Sequence, residues 1–350
     1  MTGRRKTGAR RALAVLLALG GVGMALAAAG PEAAAAAVLP QREVPLLERM
    51  LLGESALLAR WADGLAAEAA PPAAQADPVP AEDAAEEQQL TAVPPADIRE
   101  KTITGTALFN RTQKAVDLAA VAAAGTSLRF APAADGPQIL IVHTHGTESF
   151  ARDGTEPYTE TGTAHTTDAG YSVIRLGDEI ARIFGEMGLS VLHDTTLYDY
   201  PAYDGAYDRA RAGIEAVLAE HPTVQMVLDV HRDALVGADG TVYKPVLEVD
   251  GVKTAQVMLL VGTDDAGAYF PDWTEHLALA MQLQRQMDAL WPDLARPITL
   301  RTARFNQQLT KGSLLVEIGS HGNTLDEALA GARLFARAAG QVLCGLVAEP

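Results

Sequence analysis

The sequence predicts an α/β domain: a mostly parallel, twisted sheet flanked by helices on both faces. Two observations carry that prediction. Short apolar runs of strand length alternate with longer segments whose apolar residues recur at helical spacing. In addition, three of the apolar runs end at or enclose an imidazole or a carboxylate: His145 with Glu148, His231, and Glu317. Ligands of open α/β sheets bind outside the carboxyl ends of the strands, so a metal-type site is expected there.

The elements follow in order. Residues 102–119 hold β-branched residues broken by Asn110, Arg111 and Thr112, which gives one or two strands at the domain's edge. Regular patterning begins near residue 135. Residues 138–144 form an apolar strand, and a polar loop runs to about residue 170. Ile174, Leu176, Ile180 and Ile183 mark one face of a helix over 173–188, stopped by Gly188. A short strand (189–192), a tyrosine-rich loop, a helix (207–220) and a strand (224–230) come next. Residues 241–262 read as a hairpin-like pair turning at Asp250 and Gly251. A long helix (273–290), strands at 298–302 and 313–318, and a closing helix over 324–347 complete the order. Thr324 is that helix's N-cap, and Glu327 completes a capping box.

Ahead of this core the composition changes. Arg4, Arg5, Lys6, Arg10 and Arg11 precede the uncharged residues 12–31. The pattern is that of a signal peptide or of a single membrane anchor. In either case the basic end is expected to stay in the cytoplasm and the remainder to be exported. Leu47, Met50, Leu51, Leu58, Trp61 and Leu65 recur at helical spacing, either as a packing stalk or as a surface for a partner or the membrane interface. Residues 67–97 are rich in Ala, Pro and Glu and read as an extended linker. The expected organisation is residues 1–40 for export, 41–100 for helix and linker, and 101–350 for a catalytic domain with its core at about 136–350.

The formal net charge is −16, and the basic cluster lies in the export segment, so the exported part is more acidic still. No basic footprint for nucleic acid remains. The single cysteine, Cys344, excludes an intrachain disulfide and reads as a small core residue.

His145, Glu148, His231 and Glu317 are placed to converge at the strand ends. Two histidines and one carboxylate on zinc leave one position open, and the remaining carboxylate is available to take a proton from water. Each feature also has an ordinary reading. A lone strand-end histidine is more often hydrogen-bonded than ligating, and Glu317 has Arg301 and Arg304 as alternative partners. His143 and His145 alternate faces if the strand persists, so one of them faces the site. His145 is nearer Glu148 and is chosen; His143 then supports the ligands or is structural. Asp229 is a candidate for orienting His231. Arg232 and Asp233 either bind substrate or pair with each other. Asn306 and Gln307 either contact a peptide amide or close a loop. His165, His193 and His276 offer no usable ligand spacing. The tyrosine-rich loop over residues 194–203 either lines a groove or packs.

Five blocks, taken in order, resemble one family. They are His143-Thr-His-Gly-Thr-Glu-Ser149; His193-Asp-Thr-Thr with Asp199-Tyr-Pro-Ala-Tyr203; Asp229-Val-His-Arg-Asp-Ala234; Phe305-Asn-Gln307; and Val316-Glu-Ile-Gly319 with Asn323-Thr324. Over about residues 100–345 the chain resembles stage II sporulation protein P; the first 100 residues resemble it in layout only. In the first block, Gly146-Thr147 departs from the family's usual wording. That family is similar to the zinc-dependent N-acetylmuramoyl-L-alanine amidases. The resemblance implies zinc (Zn2+) as cofactor and peptidoglycan as substrate, cleaved at the muramoyl-L-alanine amide, with added endopeptidase activity on peptide cross-links. It implies septal wall thinning and engulfment during sporulation, with stage II sporulation proteins D (a transglycosylase) and M as partners. It implies His145, Glu148 and His231 as zinc ligands and Glu317 as the catalytic carboxylate. The expected location is the wall side of the cell membrane, or secreted if the N-terminal segment is cleaved. Two alternatives stand beside this reading: a zinc endopeptidase or carboxypeptidase confined to stem peptides, and a non-catalytic wall-binding scaffold.

Overall fold

A computed structural model describes residues 98–105, 107–152 and 164–348. In chain order its strands are β1 (Ile98–Lys101), β2 (Leu108–Asn110), β3 (Ile139–Val142), β4 (Val191–His193), β5 (Met226–Asp233), β6 (Val242–Val249), β7 (Val252–Ala255), β8 (Val257–Gly262), β9 (Ile298–Arg301) and β10 (Leu314–Ser320). Its helices are α1 (Leu118–Ala124), α2 (Ile174–Glu186), α3 (Ala206–Glu220), α4 (Trp273–Leu290) and α5 (Leu325–Cys344). The export segment, the stretch of helical spacing from Leu47 to Leu65 and the linker lie outside the described residues. Among those described, no helix is long and apolar enough to cross a membrane.

All four residues of β3 are buried, so the strand needs cover on both faces. Ile139 and Ile141 join the large core beneath α2, α4 and α5; Leu140 and Val142 join a smaller one with Ile214 of α3. The same period of two runs through the sheet. Leu228, Val230, Leu259, Val261, Val316 and Ile318 face the large core. Asp229, His231, Met258, Leu260, Leu315 and Glu317 occupy the alternate positions, on the face that α3 covers over β3 and β5.

The sheet is mixed, which corrects the expectation of a mostly parallel one. Its order is β2-β9-β8-β10-β5-β3-β4. β4, β3, β5 and β10 run one way and β8, β9 and β2 the other, so the junction of β8 with β10 is antiparallel. The reason lies in the connections. Parallel neighbours need a long crossover, usually a helix, and α2 and α4 supply one between β3 and β4 and between β8 and β9. The chain passes from β5 to β8, and from β9 to β10, without an α-helix, and there it reverses. The expected pair over residues 241–262 resolves into three strands. β6 and β7 form a hairpin on Asp250 and Gly251, both at positive φ, and join β1 in a separate three-stranded sheet. β8 then leaves for the main sheet. β2 lies at the main sheet's edge, paired with β9.

α5 begins as expected: the Thr324 side chain accepts from the Glu327 backbone and Glu327 reaches back to Thr324. Glu327 also accepts from Lys244 of β6 at 2.7 Å, tying the start of the helix to the small sheet.

On α4, burial pushes the Asp288 carboxyl up to about 7; a hydrogen bond from the Ala295 backbone opposes the rise and Asp293 adds to it. The folded pKa therefore lies above the unfolded value of about 3.9, and the folded chain keeps its proton longer. The group's contribution is full below about pH 4 and is lost as pH rises through about 7. Asp288→Asn is expected to raise the Tm at pH 8 by roughly 2–4 °C, with the gain shrinking toward pH 4. Thermal melts at both pH values check this, and no gain at pH 8 would contradict it.

Candidate metal centre and cleft

β3 ends at Val142, and the chain turns at once, so His143 and His145 part without a continuing strand. His143 is fully buried. Its Nδ1 lies 2.8 Å from the Val230 carbonyl, which can only accept, so Nδ1 carries the hydrogen. Its Nε2, 2.9 Å from Nε2 of His193, then accepts. His193 in turn meets Asp178 at 3.1 Å. Burial, aided by His193, holds His143 down at about 3, so it is a neutral strut. Gly177 of α2 makes room for the pair; a Cβ there would lie 2.5 Å from both Nε2 atoms.

His145 and Glu148 project from the turn after β3. His231 lies inside β5 rather than after it, because the strand runs on to Asp233. The three residues meet. The two imidazole centroids are 5.2 Å apart. Glu148 stands between them, with Oε1 3.6 Å from Nδ1 of His145 and Oε2 3.4 Å from Nδ1 of His231. One donor atom from each of the three lies within 4.8 Å of the others, and all three residues are buried. Donors bound at about 2.1 Å around a tetrahedral zinc lie roughly 3.4 Å apart, and two imidazoles with a carboxylate are a zinc-type set. These side chains fit the ion.

The charges around Glu148 are tightly coupled. Burial raises its carboxyl, but His231 and Arg232, with the close approach of both imidazoles, hold it well below the usual range. Burial works against an imidazolium at His231, yet Asp229 and Glu148 raise it well above its ordinary value. Ligation needs the neutral ring, so a cation would compete with that proton. Asp229 stands behind: its Oδ1 is 2.9 Å from Nε2 of His231, though off the line of a hydrogen bond. The same carboxylate accepts from the Thr144 backbone at 2.8 Å and the Thr144 hydroxyl at 2.6 Å. A carboxylate behind a ligating imidazole fixes the ring's orientation.

Glu317 sits in β10 directly beside His231 in the parallel register, with Met258 opposite. Among the described residues no ion pair joins it to Arg301 or Arg304, and its Oε2 is shut from solvent without a hydrogen-bond partner. Burial is the main cause that pushes this carboxyl well above the usual range; Asp233 and Glu148 add to the rise, while His231 and Arg296 oppose it. With His145, Glu148 and His231 it lines a small cleft of about 90 Å³. The centre therefore lies on one face of the sheet, over the carboxyl halves of β5 and β10, as well as beyond the end of β3.

Four other sequence candidates have structural partners. Arg232 and Asp233 do not pair with each other: successive residues of a strand point to opposite faces. The Arg232 backbone donates to Glu148 at 3.1 Å, and its guanidinium holds the carbonyls of Ser149 (3.0 Å) and Ala164 (3.1 Å). Asp233 accepts from Arg296 at 2.7 Å. Asn306 donates to the Tyr207 carbonyl at 2.9 Å. Gln307 clamps β8, accepting from Gly262 and donating to Leu260, both at 2.9 Å. The last two are loop ties, the plainer of their two readings. Sequence reasoning missed Tyr203 and Tyr207 as neighbours of His145, stacked at 4.3 Å and edge-on at 5.4 Å. The tyrosine-rich loop was the available signal for the first. It also missed Arg296, a buried arginine whose role depends on a distant strand.

Comparison with known proteins gives the following. The profile of the family described as Stage II sporulation protein P (SpoIIP) matches residues 54–340. The curated Stage II sporulation protein P of Bacillus subtilis (strain 168) is 25% identical over 207 residues, 55% of this chain and 48% of that protein. The chain's match thus spans about half the length of that relative. Among solved structures, the N-acetylmuramyl-L-alanine amidase Ami1 from Mycobacterium smegmatis is 16% identical over 60% of this chain and 96% of its own, with a TM-score of 0.35. The CwlD amidase from Clostridioides difficile, in complex with the GerS lipoprotein, is 13% identical over 59% and 98%, with a TM-score of 0.37. At those values the structural likeness carries no argument about chemistry.

Removing the group behind His231 is expected to weaken metal binding. Asp229→Ala should lower zinc affinity by roughly 10–100-fold, as loss of such a partner does elsewhere. Competition against a chromophoric chelator measures it, and an unchanged affinity would contradict the role given to Asp229.

Proposed function

The chain belongs to the stage II sporulation protein P family, and we propose that it is a zinc-dependent N-acetylmuramoyl-L-alanine amidase acting on peptidoglycan. The observation that carries the reading is the meeting of His145, Glu148 and His231 in one cleft with Glu317. His145, Glu148 and His231 would hold the ion. Zinc there would supply a Lewis acid that polarises the scissile carbonyl, lowers the pKa of water and opposes the upward push on Glu317.

The chain's own residues do the rest. Water adds to the acyl carbon of the lactyl amide, the C–N bond breaks, and the products are a carboxylate on the sugar and an amine on L-alanine. Glu317 takes a proton from the attacking water and passes it to the departing nitrogen. Its raised pKa suits a group that must hold that proton between the two steps. Asp229 stands close behind the His231 ring, the Arg232 backbone N–H holds the Glu148 carboxylate while its guanidinium holds the carbonyls of Ser149 and Ala164, and His143 braces the strand before His231.

Endopeptidase activity on cross-links belongs to the same proposal, because that bond too is an amide whose nitrogen leaves as an amine. So do septal wall remodelling and engulfment during sporulation, stage II sporulation proteins D and M as partners, and a location on the wall side of the cell membrane. These finer points rest on the family and on residues 1–31.

Glu317→Gln in the full chain is expected to lower kcat by about 10²–10⁴-fold with zinc content unchanged, the usual loss when an acid–base group is removed. Chelation should abolish activity and added zinc restore it. Mass spectrometry of products from purified peptidoglycan reads both, since intact glycan and free stem peptide mean amidase. Full activity in the Gln variant, or cleavage that ignores the chelator, would end the proposal.

A further inference from the structure

The cleft has two unlike walls. One is the open sheet face around Glu317, aliphatic at Met258, Leu260 and Leu315, with Arg301 of β9 and Asp233 of β5 also lining the cleft. The other is aromatic. Tyr203 stacks on His145, Tyr207 meets it edge-on, and Phe305 meets Tyr207 at 5.6 Å. All three rings are half-buried and line the cleft.

The aromatic wall is held at a conformational cost. Phe305 and Asn306 are consecutive residues at φ of 48° and 57°, a region that bulky side chains rarely adopt. Such strain persists only where the surroundings over-determine it, and it collects at functional sites. Here they do. Asn306 donates to the Tyr207 carbonyl, and Gln307 grips both Gly262 and Leu260. Gly262 lets the turn close in: a Cβ would lie 2.3 Å from the Ala303 carbonyl oxygen and 2.7 Å from Arg304 Cα. None of these ties needs the Phe305 ring. What they accomplish together is to set that ring against Tyr207.

We infer that the wall of Tyr203, Tyr207 and Phe305 is the saccharide subsite, and that Phe305 determines selectivity for the sugar-bearing half of the substrate. The inference rests on the amidase reading, and the chemistry gives its direction. The leaving nitrogen belongs to the peptide and receives its proton from Glu317, so the peptide lies on the aliphatic wall that surrounds Glu317. The acyl half, with its pyranose, is left to the aromatic residues beside His145. A pyranose presents a flat face of C–H bonds rimmed by hydroxyls, which suits aromatic faces with phenol groups nearby. An extended peptide with a methyl side chain suits a flat aliphatic sheet face.

Two probes separate the halves: the disaccharide of N-acetylglucosamine and N-acetylmuramic acid without peptide, and a stem peptide beginning with L-alanine without sugar. Their binding to the full chain is measured by titration calorimetry or ligand-observed NMR. Phe305→Gly, which also relieves the strained φ, and Tyr207→Leu are each expected to weaken disaccharide binding by about tenfold. Peptide binding should change less than twofold, and it doubles as the control for folding. Equal loss of both probes, no loss of the disaccharide, or no disaccharide binding by the unsubstituted chain would overturn the inference. Selective loss without any amide cleavage would leave the subsite standing and sink the amidase reading instead. Cleavage with equal loss of both probes would do the reverse.

Discussion

Much of the fold serves to keep one carboxylate, that of Glu148, buried between two imidazoles. An ionised carboxylate out of water is costly unless it is paired and hydrogen-bonded. Glu148 has His145 on one oxygen and His231 on the other, and the backbone N–H of Arg232 also donates to it. The surroundings then hold those partners. The Arg232 guanidinium pins the carbonyls of Ser149 and Ala164, so the segment carrying Glu148 is tied to the strand carrying His231. Thr144, one residue before His145, binds the Asp229 carboxylate that stands behind His231. The two halves of the centre are cross-linked by polar contacts in both directions.

The second constraint is the reversal of the sheet. Strands without helical crossovers place β8 antiparallel to β10. α3 packs over β3 and β5, and the cleft lies where the same face continues over β8 and β10. That is how Glu317, from the middle of a strand rather than its end, reaches a cleft beside His231. It also gives the site two sides of different character, one from the sheet and one from the loops that carry Tyr203 and Phe305.

Much of this was legible in the sequence, for physical reasons that can be stated. His145, Glu148, His231 and Glu317 stood out because each interrupts or ends an apolar run, where a charge needs a partner. The capping box at Thr324 and Glu327 and the Asp250–Gly251 turn were legible because local hydrogen bonding and positive φ set them. The mixed sheet was not read, although the missing helices before Val257 and before Leu314 were visible. Pairing Arg232 with Asp233 overlooked strand alternation, which the sequence did contain. Other features lie beyond local pattern. The neighbours of Glu317 come from β5 and β8, and the meeting of Tyr207 with Phe305 joins a helix start to a distant turn. His193 had no ligand spacing because its partner is another histidine's nitrogen rather than a metal.

The central claim is that a single ion sits among two nitrogens and one carboxylate at this centre. X-ray absorption at the zinc edge, on the full chain loaded with zinc, tests it most directly. The account predicts about one zinc per chain in a low-coordinate nitrogen and oxygen shell at about 2.0–2.2 Å, with imidazole scattering that weakens in His231→Ala. A chain that takes up no zinc, or zinc whose shell lacks imidazole and is untouched by that substitution, would contradict it.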